Sequence, residues 1–327
     1  MKIAIRADGG STIGMGHIMR TLVLAKELAK TNYVFYVCRD GKKYLGGINK
    51  IKEAGFDVVL INEYKVLEEL KKVTADILIT DSYDVNEEYF SNSKLYFEKT
   101  IYLDDLNDKY YDVDIIINQN IGTENWIYKT NPNCKVLLGS SFAMLRQEFR
   151  NELPIAINDK VENVLISMGG TDPCEATKKV LKMIEDVDLK FHIVIGRNFK
   201  DIQYFKQLDT INDKFKFYYD PEMIDIMIKC DIAITACGTT IYELSSLGIP
   251  MMGVVIADNQ VEIAQIGNNK NILINLGDIN QLKKEVLIQK LQYINSVDIR
   301  KVIQYNQLKA VSKNGVYNVI DKIQKMM

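Results

Sequence analysis

Histidine and cysteine, the side chains that most often bind transition metals, are scarce in this chain. The sequence has two histidines and five cysteines among its 327 residues. No two cysteines form a CxxC pair, and none clusters with a histidine. This scatter excludes the common zinc-site spacings and favours free thiols in a reducing cytosol. The cysteines are Cys38, Cys134, Cys174, Cys230 and Cys237.

An excess of charge and a long apolar run are also lacking. The 41 basic and 43 acidic residues leave a net charge of -2, which gives no electrostatic footprint for nucleic acid or an anionic membrane. The longest apolar run, Ile249 to Ala257, is far shorter than the about 20 residues that a membrane span needs. Charges at Lys2 and Arg6 interrupt the first apolar run, so no signal peptide is visible. We therefore expect a cytoplasmic protein without nucleic-acid or membrane partners, and the composition allows a monomer.

Short apolar runs alternate with amphipathic stretches through most of the chain. The first half contains "KIAIRA", "YVFYVCR", "DILITD" and "DIIINQ", and the second half contains "NVLISMGG", "KFHIVIG", "IAITAC" and "MMGVVI". Continuous apolar runs indicate parallel strands covered on both faces. The pattern predicts two doubly wound α/β domains, residues 1–155 and 156–327, joined by the polar stretch 150–163. Ligands are expected in a cleft at the carboxyl ends of the strands.

Three predicted strand-to-helix junctions carry glycine. They are Gly14-Met-Gly16-His17, Ser167-Met-Gly169-Gly170-Thr171-Asp172-Pro173 and Ala236-Cys-Gly238-Thr239-Thr240. Glycine lets backbone N–H groups approach a ligand closely, and the helix N-terminus behind them favours negative charge. Such junctions suit a diphosphate without any metal.

Each junction in the second half also has a purely structural interpretation. Asp172 to Glu175 fits a helix start with Pro173 at the first helical position. Thr240 to Glu243 fits a capping box in which Glu243 closes the helix. Two such junctions in one half favour ligand binding over capping alone.

Several motifs of other enzyme classes are absent. Gly14 and Gly16 begin a GxGxxG pattern, but Met19 stands in place of the third glycine, which argues against a dinucleotide cofactor. Neither a Walker A pattern nor a GxSxG elbow occurs. The nearest candidate for a metal site is the adjacent pair Asp104 and Asp105. We therefore predict that the protein uses neither a cofactor nor a metal.

Several longer segments resemble one family. They are "RADGGSTIGMGHIMRTLVLAKEL" (6–28), "DSYDV" (81–85), "YLDD" (102–105), "LLGSSFAMLRQEF" (137–149), "SMGGTDP" (167–173) and "CGTTIYELSSLGIPMMGVVIADNQ" (237–260). Together they resemble the UDP-sugar hydrolases of pseudaminic acid biosynthesis, including relatives in spore-coat polysaccharide synthesis. The similarity covers about residues 1–275. This family is similar to the peptidoglycan GlcNAc transferase MurG, so the resemblance implies a GT-B fold of two Rossmann-like domains facing across a cleft. It also implies terminal helices beyond about residue 281 that pack back on the first domain.

The resemblance further implies a reaction and a set of site residues. The implied substrate is UDP-2,4-diacetamido-2,4,6-trideoxy-β-L-altropyranose, whose UDP is replaced at C1 by water with inversion. His17 and Tyr83 match the catalytic residues, and Glu243 matches the glutamate that holds the nucleotide ribose. The other matches to substrate- or UDP-binding positions are Gly14, Gly16, Arg146, Gly169, Gly170, Thr171, Gly238, Thr239, Asn259 and Gln260. Gly9 and Gly10 depart from the family pattern, in which Ser or Ala is common.

The chemistry of the reaction suits a lone histidine. A diphosphate is already a good leaving group, so the main requirement is a base that activates water. Because a helix N-terminus disfavours imidazolium, His17 should be neutral and able to accept a proton. The alternative for His17 is a passive role as a helix cap or phosphate ligand, and His192 is expected to be structural.

The sequence leaves two other functions open. A glycosyltransferase of the same fold would use the same nucleotide site and deliver the sugar to an acceptor. The other is a non-catalytic sugar-nucleotide binder or an accessory to a cell-surface polysaccharide complex, and the presence of His17 and Tyr83 alongside the nucleotide site argues against it.

Overall fold

The structure, a computed structural model, describes residues 1–10, 13–196, 199–211 and 213–326. The chain divides into two compact units. Unit 1 comprises residues 1–145 and the C-terminal segment that begins at Asn314, and unit 2 comprises Arg146–Lys313. No helix in the described part of the chain is long and apolar enough to span a bilayer.

The strands and helices follow the predicted alternation. The strands are β1 (Lys2–Ala7), β2 (Tyr33–Arg39), β3 (Val58–Ile61), β4 (Ile77–Asp81), β5 (Lys99–Leu103), β6 (Tyr110–Tyr111), β7 (Ile115–Asn118), β8 (Lys129–Thr130), β9 (Lys135–Leu138), β10 (Asn163–Ser167), β11 (Lys190–Ile195), β12 (Phe215–Tyr219), β13 (Ile232–Ala236), β14 (Met251–Val255) and β15 (Ile274–Asp278). The α-helices are α1 (Gly16–Leu28), α2 (Leu45–Glu53), α3 (Val66–Leu70), α4 (Glu87–Tyr96), α5 (Gln147–Asn151), α6 (Ala176–Ile184), α7 (Ile202–Ile211), α8 (Met223–Met227), α9 (Thr240–Leu247), α10 (Val261–Asn269), α11 (Lys284–Ile294), α12 (Val297–Ala310) and α13 (Gly315–Gln324).

Each unit contains one parallel, doubly wound sheet. The strand order in unit 1 is β3-β2-β1-β4-β5-β7-β9, and in unit 2 it is β12-β11-β10-β13-β14-β15. The strand order therefore reverses between β1 and β4 in unit 1 and between β10 and β13 in unit 2. In doubly wound sheets ligands bind at such reversal points, outside the carboxyl ends of the strands. The small sheet of β6 and β8 was not predicted.

Both faces of the unit 1 sheet are covered, which explains the continuous apolar runs. Along β1, Ile3 and Ile5 pack in the core on one face, whereas Ala4 packs in the core on the other. Adjacent strand residues point to opposite faces, so a strand buried on both sides needs apolar residues at consecutive positions.

The boundary between the units differs from the sequence prediction of 155/156. The polar stretch 150–163 lies within unit 2. There the Ile155 amide donates to the Leu247 carbonyl, and Arg300 donates to the carbonyls of Asn158 and Asp159. The stretch carries polar residues because most of its side chains are exposed, while its backbone bonds to unit 2 and does not form a free linker.

The C-terminal helices are divided between the units. Helices α11 and α12 belong to unit 2, whereas α13 belongs to unit 1. Val316, Val319 and Ile323 of α13 are buried in the same core as Ile18 of α1. A Cβ atom at Gly315 would lie 2.1 Å from the Ala143 carbonyl oxygen, so α13 can begin here only with glycine.

Candidate active site

The reversal point of the unit 1 sheet brings His17 to Asp81. His17 lies in the first turn of α1, and Asp81 is the last residue of β4. The loop that connects β1 to α1 is closed by two hydrogen bonds between the backbones of Gly10 and Gly14, and Gly14 has a φ of 76° that favours glycine. This loop and the end of β4 place the two side chains in contact.

His17 and Asp81 form a buried pair with a defined hydrogen-bond direction. The His17 Nδ1 atom lies 2.6 Å from Asp81 Oδ1, and the Asp81 side chain is completely buried. Burial would raise the pKa of the Asp81 carboxyl, but Arg20 and His17 together hold that pKa below its ordinary value. Because an ionised carboxylate can only accept, Nδ1 must donate. Neutral His17 therefore has an unprotonated Nε2, which can accept a proton.

Arg20 joins Asp81 to a second carboxylate. Its Nε and Nη2 atoms each lie 2.6 Å from an Asp81 oxygen, and its Nη1 atom donates to Asp105 Oδ1 over 2.8 Å. Burial alone would raise the pKa of Asp105, yet the Arg20 guanidinium and the Tyr83 hydroxyl keep this pKa far below its ordinary value. One buried cation thus bonds to two buried carboxylates and offsets part of their charge.

Tyr83 completes the cluster on the far side of Asp105. Its hydroxyl donates to Asp105 Oδ2 over 2.6 Å, and its ring meets the His17 ring edge to face, with the ring centres 4.6 Å apart. Burial and the Asp105 carboxylate raise the pKa of the phenol, so it stays protonated. The Asn120 amide also donates to Asp105. Tyr83 can therefore orient a ligand or a neighbour, but it cannot serve as a base.

Two sequence interpretations in unit 1 can be compared with the structure: a helix-cap role for His17 and a metal site at Asp104 and Asp105. Helix α1 has Met15 at its N-cap with no side-chain cap, and the His17 ring donates from Nδ1 to Asp81, so the ring is not a helix cap. Asp104 accepts hydrogen bonds from Tyr111 and Tyr128, and burial raises its pKa. Among the described residues no group of three His, Cys, Asp or Glu side chains could hold a metal ion.

The first glycine junction of unit 2 follows β10 and is exposed. Within the described residues, the amides of Gly169, Gly170 and Thr171 have no hydrogen-bond acceptor. The predicted helix start at Pro173 is wrong, because α6 begins at Ala176. The Asp172 carboxylate reaches forward and accepts from the amides of Ala176 and Thr177. An anion could therefore meet the amides at residues 169–171, but those of Ala176 and Thr177 are already occupied.

The second glycine junction of unit 2 follows β13. Helix α9 has Thr239 at its N-cap and no side-chain cap, so the capping box with Glu243 does not form. Glu243 Oε1 instead accepts from Arg146 Nε over 2.8 Å. The Gln260 amide nitrogen would lie 3.9 Å from a Cβ atom at Gly238, so Gln260 borders this junction.

Three further residues singled out from the sequence have defined positions in unit 2: Arg146, Asn259 and His192. Arg146 contacts Glu243 and Glu148, with its guanidinium over the Phe149 ring. Asn259 lies exposed in a short 3-10 helix at Asp258–Gln260 after β14. His192 on β11 bonds to Tyr218 on β12 and to Asn163 on β10. Burial, together with the positive charges of nearby lysines, lowers the pKa of its imidazole. These contacts fit the structural role expected for His192.

The sequence motifs predicted no catalytic or binding role for Asp81, Arg20 or Asn120, and Asp105 was considered only as part of a metal site with Asp104. A signal for Arg20 was present, since it follows His17 by three residues and so lies on the same side of α1. Asp81 and Asp105 each stand at or just after the carboxyl end of a predicted strand. That position is where a doubly wound sheet collects its functional groups.

Comparison with known proteins gives the following matches. Residues 164–323 match the glycosyltransferase family 28 C-terminal domain. The chain is 33% identical over 285 residues to an uncharacterized protein of Methanocaldococcus jannaschii, with 80% of this chain and 57% of the relative covered, so it spans little more than half of that relative. It is 24% identical over 267 residues to the UDP-2,4-diacetamido-2,4,6-trideoxy-beta-L-altropyranose hydrolase of Campylobacter jejuni, with 81% of this chain and 95% of the relative covered.

Structural comparison extends over the whole chain. The crystal structure of MurG from Acinetobacter baumannii matches with a TM-score of 0.71 at 15% sequence identity, and the match covers 99% of each chain. At this identity the likeness concerns the fold. Two Rossmann-like units and this likeness give the chain the GT-B fold, which confirms the fold class that the sequence predicted.

Proposed function

We propose that the protein hydrolyses a UDP-linked sugar to the free sugar and UDP. The observation that carries the proposal is the His17–Asp81 pair, in which a buried carboxylate accepts from Nδ1 and leaves Nε2 as a base. A protein that only bound a sugar nucleotide would not need a buried, oriented imidazole. The name of the Campylobacter jejuni relative supports a 2,4-diacetamido-2,4,6-trideoxyhexose as the sugar.

In the proposed reaction His17 activates a water molecule. The water oxygen bonds to C1 of the sugar as one water proton passes to His17 Nε2. The bond between C1 and the diphosphate oxygen breaks, and its electron pair leaves with UDP. Attack from the face opposite UDP inverts the configuration at C1. Asp81 stabilises the imidazolium that forms, and no step requires a metal ion.

UDP is proposed to bind to unit 2. The amides of Gly169, Gly170 and Thr171, and the N-terminus of α9 behind Gly238 and Thr239, offer donors and a positive dipole end to the diphosphate. Glu243 uses one oxygen for Arg146. Its second oxygen is proposed to accept from the ribose hydroxyls, and Gln260 and Asn259 lie at the neighbouring strand end.

Replacing Glu243 by Gln should weaken UDP binding about tenfold, because a hydrogen bond to a charged group is worth more than a neutral one. Isothermal titration calorimetry with UDP measures the effect. The matched control is Glu148→Gln, because Glu148 also pairs with Arg146 but is more exposed. Equal UDP affinity of Glu243→Gln and wild type would mean that Glu243 serves only to hold Arg146.

A glycosyltransferase is the second candidate, favoured by the family 28 domain and the likeness to MurG. The two functions differ in what happens without an acceptor. A hydrolase should release UDP and free sugar from a UDP-diacetamido sugar in the presence of EDTA, as followed by NMR. In H₂¹⁸O the label should enter the sugar and not UDP. UDP release that required an added acceptor would favour the transferase, and label in UDP would contradict attack at C1.

A further inference from the structure

Arg20 lies in unit 1 in a cluster with His17, Asp81, Tyr83 and Asp105. It is not one of the residues proposed to contact the substrate. It donates three hydrogen bonds, two to Asp81 and one to Asp105, and its side chain is 7% exposed. Building on the proposed function, we propose that Arg20 is a positioning residue: it fixes the Asp81 carboxylate and offsets its charge, so that His17 Nδ1 donates in a fixed direction and Nε2 is left to act as the base.

The charges around His17 explain why an offset is needed. The charged and titratable groups facing the ring are Asp81 and Tyr83 at the end of β4, Asp105 after β5, and Arg20 on α1 itself. Without Arg20, two buried carboxylates would face the imidazole with no cation between them. An opposite charge within about 4–6 Å favours the charged form of a group by roughly 1–3 pH units. At a given pH a larger fraction of His17 would then already carry a second proton, and that fraction cannot accept one from water.

The shape of the arginine side chain matters as well as its charge. The fork of Nε and Nη2 bonds both oxygens of Asp81, while Nη1 reaches Asp105. A lysine ammonium is a point charge and cannot hold a carboxylate plane in this way. The carboxylate plane, in turn, fixes the direction from which His17 Nδ1 donates. Arg20 thus connects His17, Asp81, Asp105 and Tyr83 into one hydrogen-bonded cluster.

NMR can test this inference directly, since the chain has only two histidines. The ring signals of ¹³C,¹⁵N-labelled protein without ligand are followed against pH, and His192→Asn assigns the two signals. The variants are Arg20→Gln, Arg20→Lys and the double variant Arg20→Gln/Asp81→Asn. The control is Arg39→Gln, because Arg39 is also buried and also bridges two carboxylates, Asp8 and Asp84, away from His17.

We expect the His17 titration of Arg20→Gln to move upward by about one pH unit or more, and the acid limb of kcat/KM to move with it. The double variant should lose this shift. Arg20→Lys keeps the charge and loses the fork, so its titration should stay near wild type while kcat falls and KM stays similar. Arg39→Gln should leave the titration in place even where it lowers thermal stability.

Two results would overturn the inference. One is a His17 titration in Arg20→Gln that coincides with wild type, and the other is an equal shift in Arg39→Gln. Should Arg20→Gln fail to fold, Arg20→Lys decides, since an unchanged kcat in that variant contradicts positioning by the fork. The titration needs no substrate. If the His17 titration moves in Arg20→Gln but the wild-type protein releases no UDP, the role of Arg20 still stands and the proposed hydrolysis is wrong.

Discussion

Replacing His17 by Asn should lower the rate of UDP release from the UDP-sugar by about 10²–10⁴-fold, the usual contribution of a general base. Asparagine keeps a polar group of similar reach but has no basic nitrogen. UDP affinity should be unchanged, because the proposed UDP contacts all lie in unit 2. Single-turnover rates with saturating substrate, together with calorimetry for UDP, measure the two effects separately.

The second histidine provides the matched control. His192 bonds to Tyr218 and Asn163 between neighbouring strands of unit 2. His192→Asn should therefore affect stability more than turnover. A His17→Asn variant that hydrolysed substrate at nearly the wild-type rate would rule out His17 as the base, whatever the labelling in H₂¹⁸O showed.

The fold was predictable because its signals are local and repeated. Each parallel strand that is buried on both faces leaves a short continuous apolar run, and each crossover leaves an amphipathic stretch. His17 was also predictable as a candidate, since it follows Gly14 and Gly16 where a strand turns into a helix. These features can be recognised within a dozen or so residues.

The contacts within the site were not predictable in this way. His17 and Asp81 are 64 positions apart, and Arg20 and Asp105 are 85 apart. Only the strand order of the folded sheet brings them together. Local patterns can also mislead: Thr240 and Glu243 have the spacing of a capping box, but Glu243 turns to Arg146, whose guanidinium offers a charged partner.

Asp81→Asn should be as damaging as the loss of His17, with turnover reduced by roughly 10⁴-fold, as for the equivalent change in Ser-His-Asp triads. The side-chain amide can donate to His17 Nδ1, which the carboxylate cannot do. The ring would then carry its proton on Nε2 and could not accept one from water. The ¹⁵N chemical shifts of the His17 ring should report this change of tautomer directly.

Asp84→Asn is the matched control for this change. Asp84 lies three residues after Asp81, but it is largely exposed and pairs with Arg39. It should retain near wild-type turnover, and both variants should still bind UDP through unit 2. If Asp81→Asn kept wild-type turnover, or lost turnover while His17 kept its proton on Nδ1, Asp81 would not act by fixing the tautomer.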